Sequence, residues 1–396
     1  RSQLKEQVTS QEDLTMLGLL RLDMIGTLAV TPKGEPGLLS LAHLNPPSPK
    51  GELYTLLKPA LVHQCPVSFE TFIRELEADL QRQSGSHQMS QSQSATLVSA
   101  SPKSKREQEE RLAELAELAS SADLIVIDRL IQRTQSGHAR FQLGSGKLRD
   151  VLVQAMQKGA DLLIFDQDLA PAQVRAIAEI TDLTVIDRTQ LILDIFAQRA
   201  HSREGKVQVE LAQLRYLLPR LSGQGTSLSR LGGGIGSRGP GETKLETDRR
   251  RIRERIDHLE REIEGFARHQ DQRRSRRIRQ EFPVLSIVGY TNAGKSTLLN
   301  ALTNSQVSTA PRVFETLDTT SRRLHFPQGR EAIITDTVGF IRDLPKDLLA
   351  AFRTTLDELR DADLLLHVVD AGATDLDAHI ASVDTVLQSL SLDQLP

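Results

Sequence analysis

The octapeptide Gly289-Tyr-Thr-Asn-Ala-Gly-Lys-Ser296 limits the fold of this chain more than any other stretch. It fits G-x-x-x-x-G-K-[ST] and stands between the apolar run Val284-Leu-Ser-Ile-Val288 and a helical pattern from Lys295 to Thr303. That strand–loop–helix context is what the pattern requires. Gly289 and Gly294 let the backbone aim successive N–H groups at one concavity, and the helix N-terminus adds its positive end. Tyr290, Thr291, Asn292 and Ala293 complete the loop, and the phosphate site is read as Gly289 to Thr297. Lys295 offers a compact cation to β- and γ-phosphates, and the Ser296 hydroxyl can ligate Mg²⁺. Lys295 is expected to be exposed in its loop, so that Lys295→Ala loses phosphate affinity and keeps the fold.

Downstream, Asp336-Thr337-Val338-Gly339 follows the strand-like Ile333-Ile334. In an open parallel sheet the C-terminal end of that strand faces the same crevice as the phosphate loop. Asp336 can there hold Mg²⁺ through water, and the Gly339 N–H can meet the γ-phosphate. Between the two motifs lies the threonine-rich Arg312-Val-Phe-Glu-Thr-Leu-Asp-Thr-Thr320. A threonine in such a switch loop closes the Mg²⁺ shell when the γ-phosphate is present; Thr316 is the first choice and Thr319 the alternative. Phe340, directly after D-x-x-G, cannot hydrogen-bond an attacking water as the glutamine of Ras does there. Either the intrinsic rate is low and a partner completes the site, or another group positions the water; the partner is the expectation. The reading is a nucleotide-hydrolysing P-loop domain in which Lys295, Thr316 and Gly339 carry the chemistry.

Turns and composition divide the rest of the chain. Residues 1–80 read as a small N-terminal α/β extension. Residues 81–121 read as a Ser/Gln-rich flexible linker, to about Ser104, and a charged helix from Lys105 to Ala119. Residues 122–188 alternate short strands (Leu124–Ile127, Leu162–Phe165, Leu183–Ile186) with helices (Lys147–Gln157, Pro171–Glu179), the pattern of a parallel α/β domain. Gly144-Ser-Gly-Lys147 lacks the upstream glycine of a phosphate loop and reads as a turn before a helix.

Residues 189–282 read as a helical hairpin around a glycine-rich loop, 223–241. Leu211, Leu214, Leu218 and Leu221 recur at helical spacing, and Ile252, Ile256, Leu259, Ile263 and Phe266 form a heptad seam. The second helix, from about Glu242 to Arg279, carries Arg249, Arg250, Arg251, Arg253 and Arg255, then Arg273, Arg274, Arg276, Arg277 and Arg279. Arginine forks suit phosphate backbones, and intrahelical Arg–Glu pairs suit a solvated hairpin. Composition leaves both readings open. Residues 283–396 form the P-loop domain, with a further helix at Lys346–Arg360 and a strand at Leu364–Val369.

A net charge of −3 gives no global basic field, and a single cysteine, Cys65, excludes an intramolecular disulfide and a cysteine-based zinc site. No apolar run approaches the roughly 20 residues that span a bilayer. The expectation is a cytoplasmic monomer.

Several stretches resemble the HflX family of ribosome-associated GTPases: Asp187 to Ala200, Val209 to Arg215, Gly232 to Arg250 (G-G-G-I-G-S-R-G-P-G-E-T-K-L-E-T-D-R-R), Val288 to Thr297 and Asp336 to Arg342. The resemblance covers about residue 122 to the end, with residues 1–120 outside the common core. It implies an α/β domain, a long helical hairpin and a Ras-like G domain that binds GTP and GDP with Mg²⁺. It also implies association with the large ribosomal subunit and its rRNA, and nucleotide-dependent splitting or rescue of stalled ribosomes. The family's guanine-reading N-K-x-D lies on a strand beyond Leu364–Val369, which this sequence does not reach. The G domain is thus expected to be C-terminally incomplete and to bind nucleotide weakly in this form, the natural protein continuing. Two alternatives stand beside this reading: an ATP-using rRNA-remodelling enzyme with a second site at Gly144 to Lys147, and a nucleotide-insensitive ribosome-binding factor.

Overall fold

The computed structural model describes residues 2–3, 9–19, 22–31, 33–45, 54–64, 68–87, 93–134, 141–221, 244–278, 282–303, 313–314, 320–326, 329–345, 348–349, 358–373, 375–392 and 394–396. The chain divides into two compact units, Arg1–Arg188 and Thr189–Pro396.

The first unit opens with β1 (Ser2–Gln3), α1 (Gln11–Leu19), β2 (Met24–Val30), β3 (Pro36–Leu44), β4 (Tyr54–Leu56), β5 (Ala60–Leu61) and α2 (Phe69–His87). β3 pairs antiparallel with β2, β4 and β5, and β1 adds parallel to β2. Leu14 and Leu17 of α1 pack on Ala42, Ile25, Leu44 and Tyr54.

A second sheet follows, built from β6 (Ser94–Ser101), α3 (Lys105–Ser121), β7 (Ile125–Arg133), α4 (Ser145–Gln157), β8 (Leu162–Phe165), α5 (Pro171–Ala178) and β9 (Thr184–Asp187). The strands are all parallel in the order β7-β6-β8-β9. Helices joining successive parallel strands explain the alternating strand and helix periodicity in the sequence.

The sheet corrects the linker reading. The Ser/Gln-rich stretch contains the end of α2 and a strand, and β6 lies inside the sheet with β7 and β8 on either side. Its sequence, Ser-Ala-Thr-Leu-Val-Ser-Ala-Ser, looks like low complexity because all its side chains but Leu97 and Val98 are small or polar. All but Ser94 are buried, as an interior parallel strand requires when helices crowd both faces. Gln167 meets two of its polar groups: Ser99 Oγ accepts from Gln167 Nε2 at 3.2 Å, and the Ala100 N–H donates to Gln167 Oε1 at 2.9 Å. The strand read at Leu124–Ile127 also runs further, to Arg133.

The helical pattern from Thr189 to Leu221 is two helices, α6 (Arg188–Arg199) and α7 (Arg203–Arg220). Ser202 interrupts it as an N-cap, its Oγ accepting from the Gly205 N–H at 2.9 Å. α8 (Lys244–Ile278) packs on α7, with Val207, Leu211, Ile256 and Leu259 buried between them and Leu214, Leu218, Ile252, Ile263 and Phe266 alongside. Arg203 meets Glu262 and Glu210 meets Arg255, so the two helices run antiparallel. The glycine loop 223–241 lies outside the described residues.

The remaining elements are β10 (Val284–Gly289), α9 (Lys295–Thr303), β11 (Thr320–His325), β12 (Glu331–Asp336), β13 (Leu364–Val368) and α10 (Leu376–Ser389). Their sheet has the order β11-β12-β10-β13, with β12 and β13 parallel to β10 and β11 antiparallel to β12. Ile287, Leu299 and Ile334 form its buried centre. Most of the helix expected at Lys346–Arg360 lies outside the described residues.

Candidate nucleotide site

β10 and β12 are parallel neighbours, so Gly289 and Asp336 end on the same edge of the sheet. The loop beyond β10 takes the conformations its glycines permit. Gly289 has φ 155° and Gly294 φ 89°, and Asn292 also lies in the left-handed region at φ 61°. A Cβ on Gly289 would stand 2.3 Å from the Val368 carbonyl oxygen of β13, so only glycine fits there. α9 then begins at Lys295 and presents its first amides to the same edge.

Lys295 corrects its expected exposure: the residue is 6% exposed. Its Nζ donates to the Tyr290 carbonyl at 2.7 Å. Burial pushes its ammonium down to about 8, against the opposing pull of Asp336. The cation thus sits inside the curl of its own loop. Next to it the Ser296 hydroxyl donates to Asp336 Oδ2 at 2.6 Å, and Asp336 is wholly buried.

The segment after Asp336 is stitched to the loop through its backbone. Thr337 Oγ1 donates to the Ile287 carbonyl at 2.7 Å. The Phe340 N–H donates to the Gly289 carbonyl at 3.1 Å, and the Thr291 N–H donates to the Phe340 carbonyl at 2.7 Å. Val338 and Phe340 are buried, Phe340 at 1% exposed, so its ring belongs to packing. Gly339 lies so close to the loop that an added Cβ would be 2.7 Å from Thr291 Cγ2 and 3.0 Å from Lys295 Nζ. Gly289 to Ser296, Asp336, Thr337, Val338 and Gly339 therefore lie together, with Thr297 in the first turn of α9. Thr316 and Thr319 lie outside the described residues.

Two residues absent from the sequence reading also touch this region. The Tyr290 ring stacks flat on His379 of α10, with centroids 3.9 Å apart and planes 7° apart. Arg342 pairs with Asp375. Asp375 stands at the N-cap position of α10 without capping it, its carboxylate turned to the arginine. No local pattern announces either contact, because an aspartate before a helix reads as a cap.

Three arginines of the first cluster on α8 have acidic partners. Arg250 pairs with Glu254, Arg251 with Asp248 and Arg255 with Glu210. These pairs are solvent-exposed, where such contacts contribute little and exchange readily.

Comparison with known proteins places the whole arrangement. Residues 109–197 match the model "GTP-binding GTPase N-terminal", residues 199–277 "GTP-binding GTPase Middle Region" and residues 284–392 "50S ribosome-binding GTPase". GTPase HflX of Caldanaerobacter subterraneus subsp. tengcongensis is 51% identical over 290 residues, covering 73% of this chain and 68% of its own. GTPase HflX of Alkalihalophilus pseudofirmus is 50% identical over 288 residues, with 73% and 68% covered. The chain belongs to the HflX family of GTPases. It binds guanine nucleotide and hydrolyses GTP, as the HflX relatives and the matched GTPase models establish. A GTP-binding protein from the archaeon Sulfolobus solfataricus, solved with GDP, is 25% identical and covers 75% of this chain and 78% of its own, with a TM-score of 0.40. No helix among the described residues is long and apolar enough to cross a membrane.

Proposed function

We propose that this HflX-family chain is a GTP-switched factor of the large ribosomal subunit that splits or rescues stalled ribosomes in the cytoplasm. The observation that carries the nucleotide part is the convergence of Lys295, Ser296, Asp336 and Gly339 on one edge of the β10–β12 pair. Lys295 exchanges its Tyr290 carbonyl for β- and γ-phosphate oxygens, which costs little because the present bond is to a neutral group. Loop amides from Gly289 to Thr297 cradle the phosphates, and the Gly339 N–H meets the γ-phosphate.

The donor set fits Mg²⁺. Among the described residues no group of three or more His, Cys, Asp or Glu side chains could hold a metal ion. One hydroxyl and one carboxylate converge instead, and Mg²⁺ characteristically combines such a pair with phosphate oxygens and water. Ser296 and Asp336, with Thr316 from the switch loop, would hold the ion, which supplies charge neutralisation on the β- and γ-oxygens. The Phe340 ring is buried and offers nothing to an attacking water, so a ribosomal group is proposed to complete the hydrolytic site.

The ribosomal part is supported by the description of the model matched over 284–392 and by the exposed arginines of α8. Those arginines can trade weak acid partners for rRNA phosphates, a contact without sequence preference. Sedimentation with large ribosomal subunits tests both parts, comparing a non-hydrolysable GTP analogue, its ATP counterpart, GDP and no nucleotide. Binding promoted by the GTP analogue alone is expected. Binding promoted equally by the ATP analogue favours the ATP-using remodelling enzyme. Equal binding in all four arms favours the nucleotide-insensitive factor.

A further inference from the structure

Arg342 and Asp375 lie outside both nucleotide motifs and hold the two motif loops together. The Arg342 backbone N–H donates to Tyr290 Oη at 2.9 Å, and its mostly buried guanidinium pairs with Asp375. Tyr290, the second residue of the phosphate loop, is itself fixed by its stack on His379. Asp375 and His379 stand one turn apart at the start of α10, so a single helix terminus supports both contacts.

The consequence falls on Gly339. On one side of it Asp336 ends β12, and Thr337 is tied to the Ile287 carbonyl. On the other, Phe340 is tied to Gly289 and Thr291, and Arg342 is tied to Tyr290 and Asp375. A segment this short, fastened at both ends, has little freedom to place its glycine elsewhere.

We infer that Arg342 and Asp375, acting through Tyr290, are positioning residues for GTP turnover, holding the Gly339 N–H where the γ-phosphate is met. This rests on the role proposed above for Gly339. GDP has no γ-phosphate, so the brace acts on turnover and leaves GDP affinity alone. A residue that only supported the fold or the phosphate loop would move both.

The test measures steady-state GTP turnover and the affinity for a fluorescent GDP analogue in Arg342→Ala, Asp375→Ala, their double variant, Arg342→Lys and Tyr290→Phe. Tyr290→Phe keeps the ring on His379 and removes only the hydroxyl, so it is informative even if a charge-removing variant folds poorly. Each alanine variant is expected to lower kcat by about tenfold while GDP affinity stays within about twofold, and Tyr290→Phe to lower kcat by a similar factor. The double variant is expected to fall no further than either single one, and Arg342→Lys to recover part of the loss. Unchanged turnover in Arg342→Ala and Asp375→Ala overturns the inference, as does GDP affinity falling in step with kcat. Gly339→Ala separates this from the underlying reading. If that variant hydrolyses GTP normally, the γ-phosphate role fails and the brace with it. If it is inactive while the brace variants are not, the brace alone fails.

Discussion

Each unit of the molecule carries a four-stranded sheet with a buried aspartate at the C-terminal edge of a strand, Asp166 after β8 and Asp336 at the end of β12. The two acids live in opposite company. Asp166 accepts from Arg111 at 2.7 Å and from Arg188 at 3.4 Å, and Arg188 also binds Glu114 at 2.9 Å. Asp336 accepts from the Ser296 hydroxyl, and the nearby ammonium of Lys295 turns to a neutral carbonyl. Full charges locked to full charges make a structural joint, costly to open. An acid on a hydroxyl and an amine on a carbonyl are contacts that an incoming polyphosphate and its cation can replace. The first sheet has spent its buried charge on holding itself together; the second keeps its charge exchangeable.

The largest expected effect breaks the closed network. Arg188→Met leaves Asp166 and Glu114 without one cationic partner and is expected to destabilise the first unit by about 4 kcal/mol. GTP affinity is expected to stay as it was. Chemical denaturation followed by a probe in each unit, with a nucleotide titration under native conditions, checks both halves. A drop in nucleotide affinity at unchanged stability would contradict the division of labour.

Lys295 gives the converse. Lys295→Ala is expected to weaken GTP binding roughly a hundredfold, about 3 kcal/mol, the worth of a cation on phosphate oxygens. The fold should not suffer, but for a reason unlike the one its sequence position implied. The residue is buried, and burial has already depressed its pKa from 10.5 to about 8, which corresponds to about 3 kcal/mol set against folding while the amine is charged in both states.

That cost has a pH signature. Below about pH 8 both the folded and the unfolded protein carry the ammonium, and the cost is felt in full. Between about 8 and 10.5 the folded state releases the proton while the unfolded state keeps it, so stability rises with pH. Lys295→Met removes this rise. Denaturation of both proteins without nucleotide or Mg²⁺ should therefore show the variant ahead at pH 7 and its advantage shrinking through that window. An advantage that is flat with pH would mean that the amine is not desolvated as its burial indicates.

The contrast between the two sheets also marks what the sequence could disclose. The strand, loop and helix from Val284 to Thr303 were legible because the loop's chemistry demands glycine and lysine at fixed spacing, and Asp336 because a strand end fixes its direction. The Ile252 to Phe266 seam was legible because a heptad repeats. β6 was not legible, since an interior parallel strand in which only Leu97 and Val98 are bulky has no alternation to distinguish it from a linker. The Asp166 network and the Arg342–Asp375 brace were hidden for another reason. Each joins residues distant in sequence whose types also suit an ordinary surface, and only the fold brings them together.

The smallest expected effect concerns the place where the two sheets look most alike in sequence. Gly144-Ser-Gly-Lys147 opens α4 much as the phosphate loop opens α9, and it was the one candidate for a second nucleotide site. Its geometry differs. Gly144 is an extended N-cap at φ −62°, and the left-handed residue of this loop is Gln142, at φ 62°, where the phosphate loop has glycines at Gly289 and Gly294. Lys147 is exposed, and Asp166, buried after β8 of that sheet, is already held by Arg111 and Arg188. Lys147→Ala is expected to change GTP affinity, turnover and stability by less than about 0.5 kcal/mol each. Titration of the variant with ATP and with GTP checks this. A loss of ATP binding confined to Lys147→Ala would give the first sheet a ligand of its own and end the contrast between a structural and an exchangeable sheet edge.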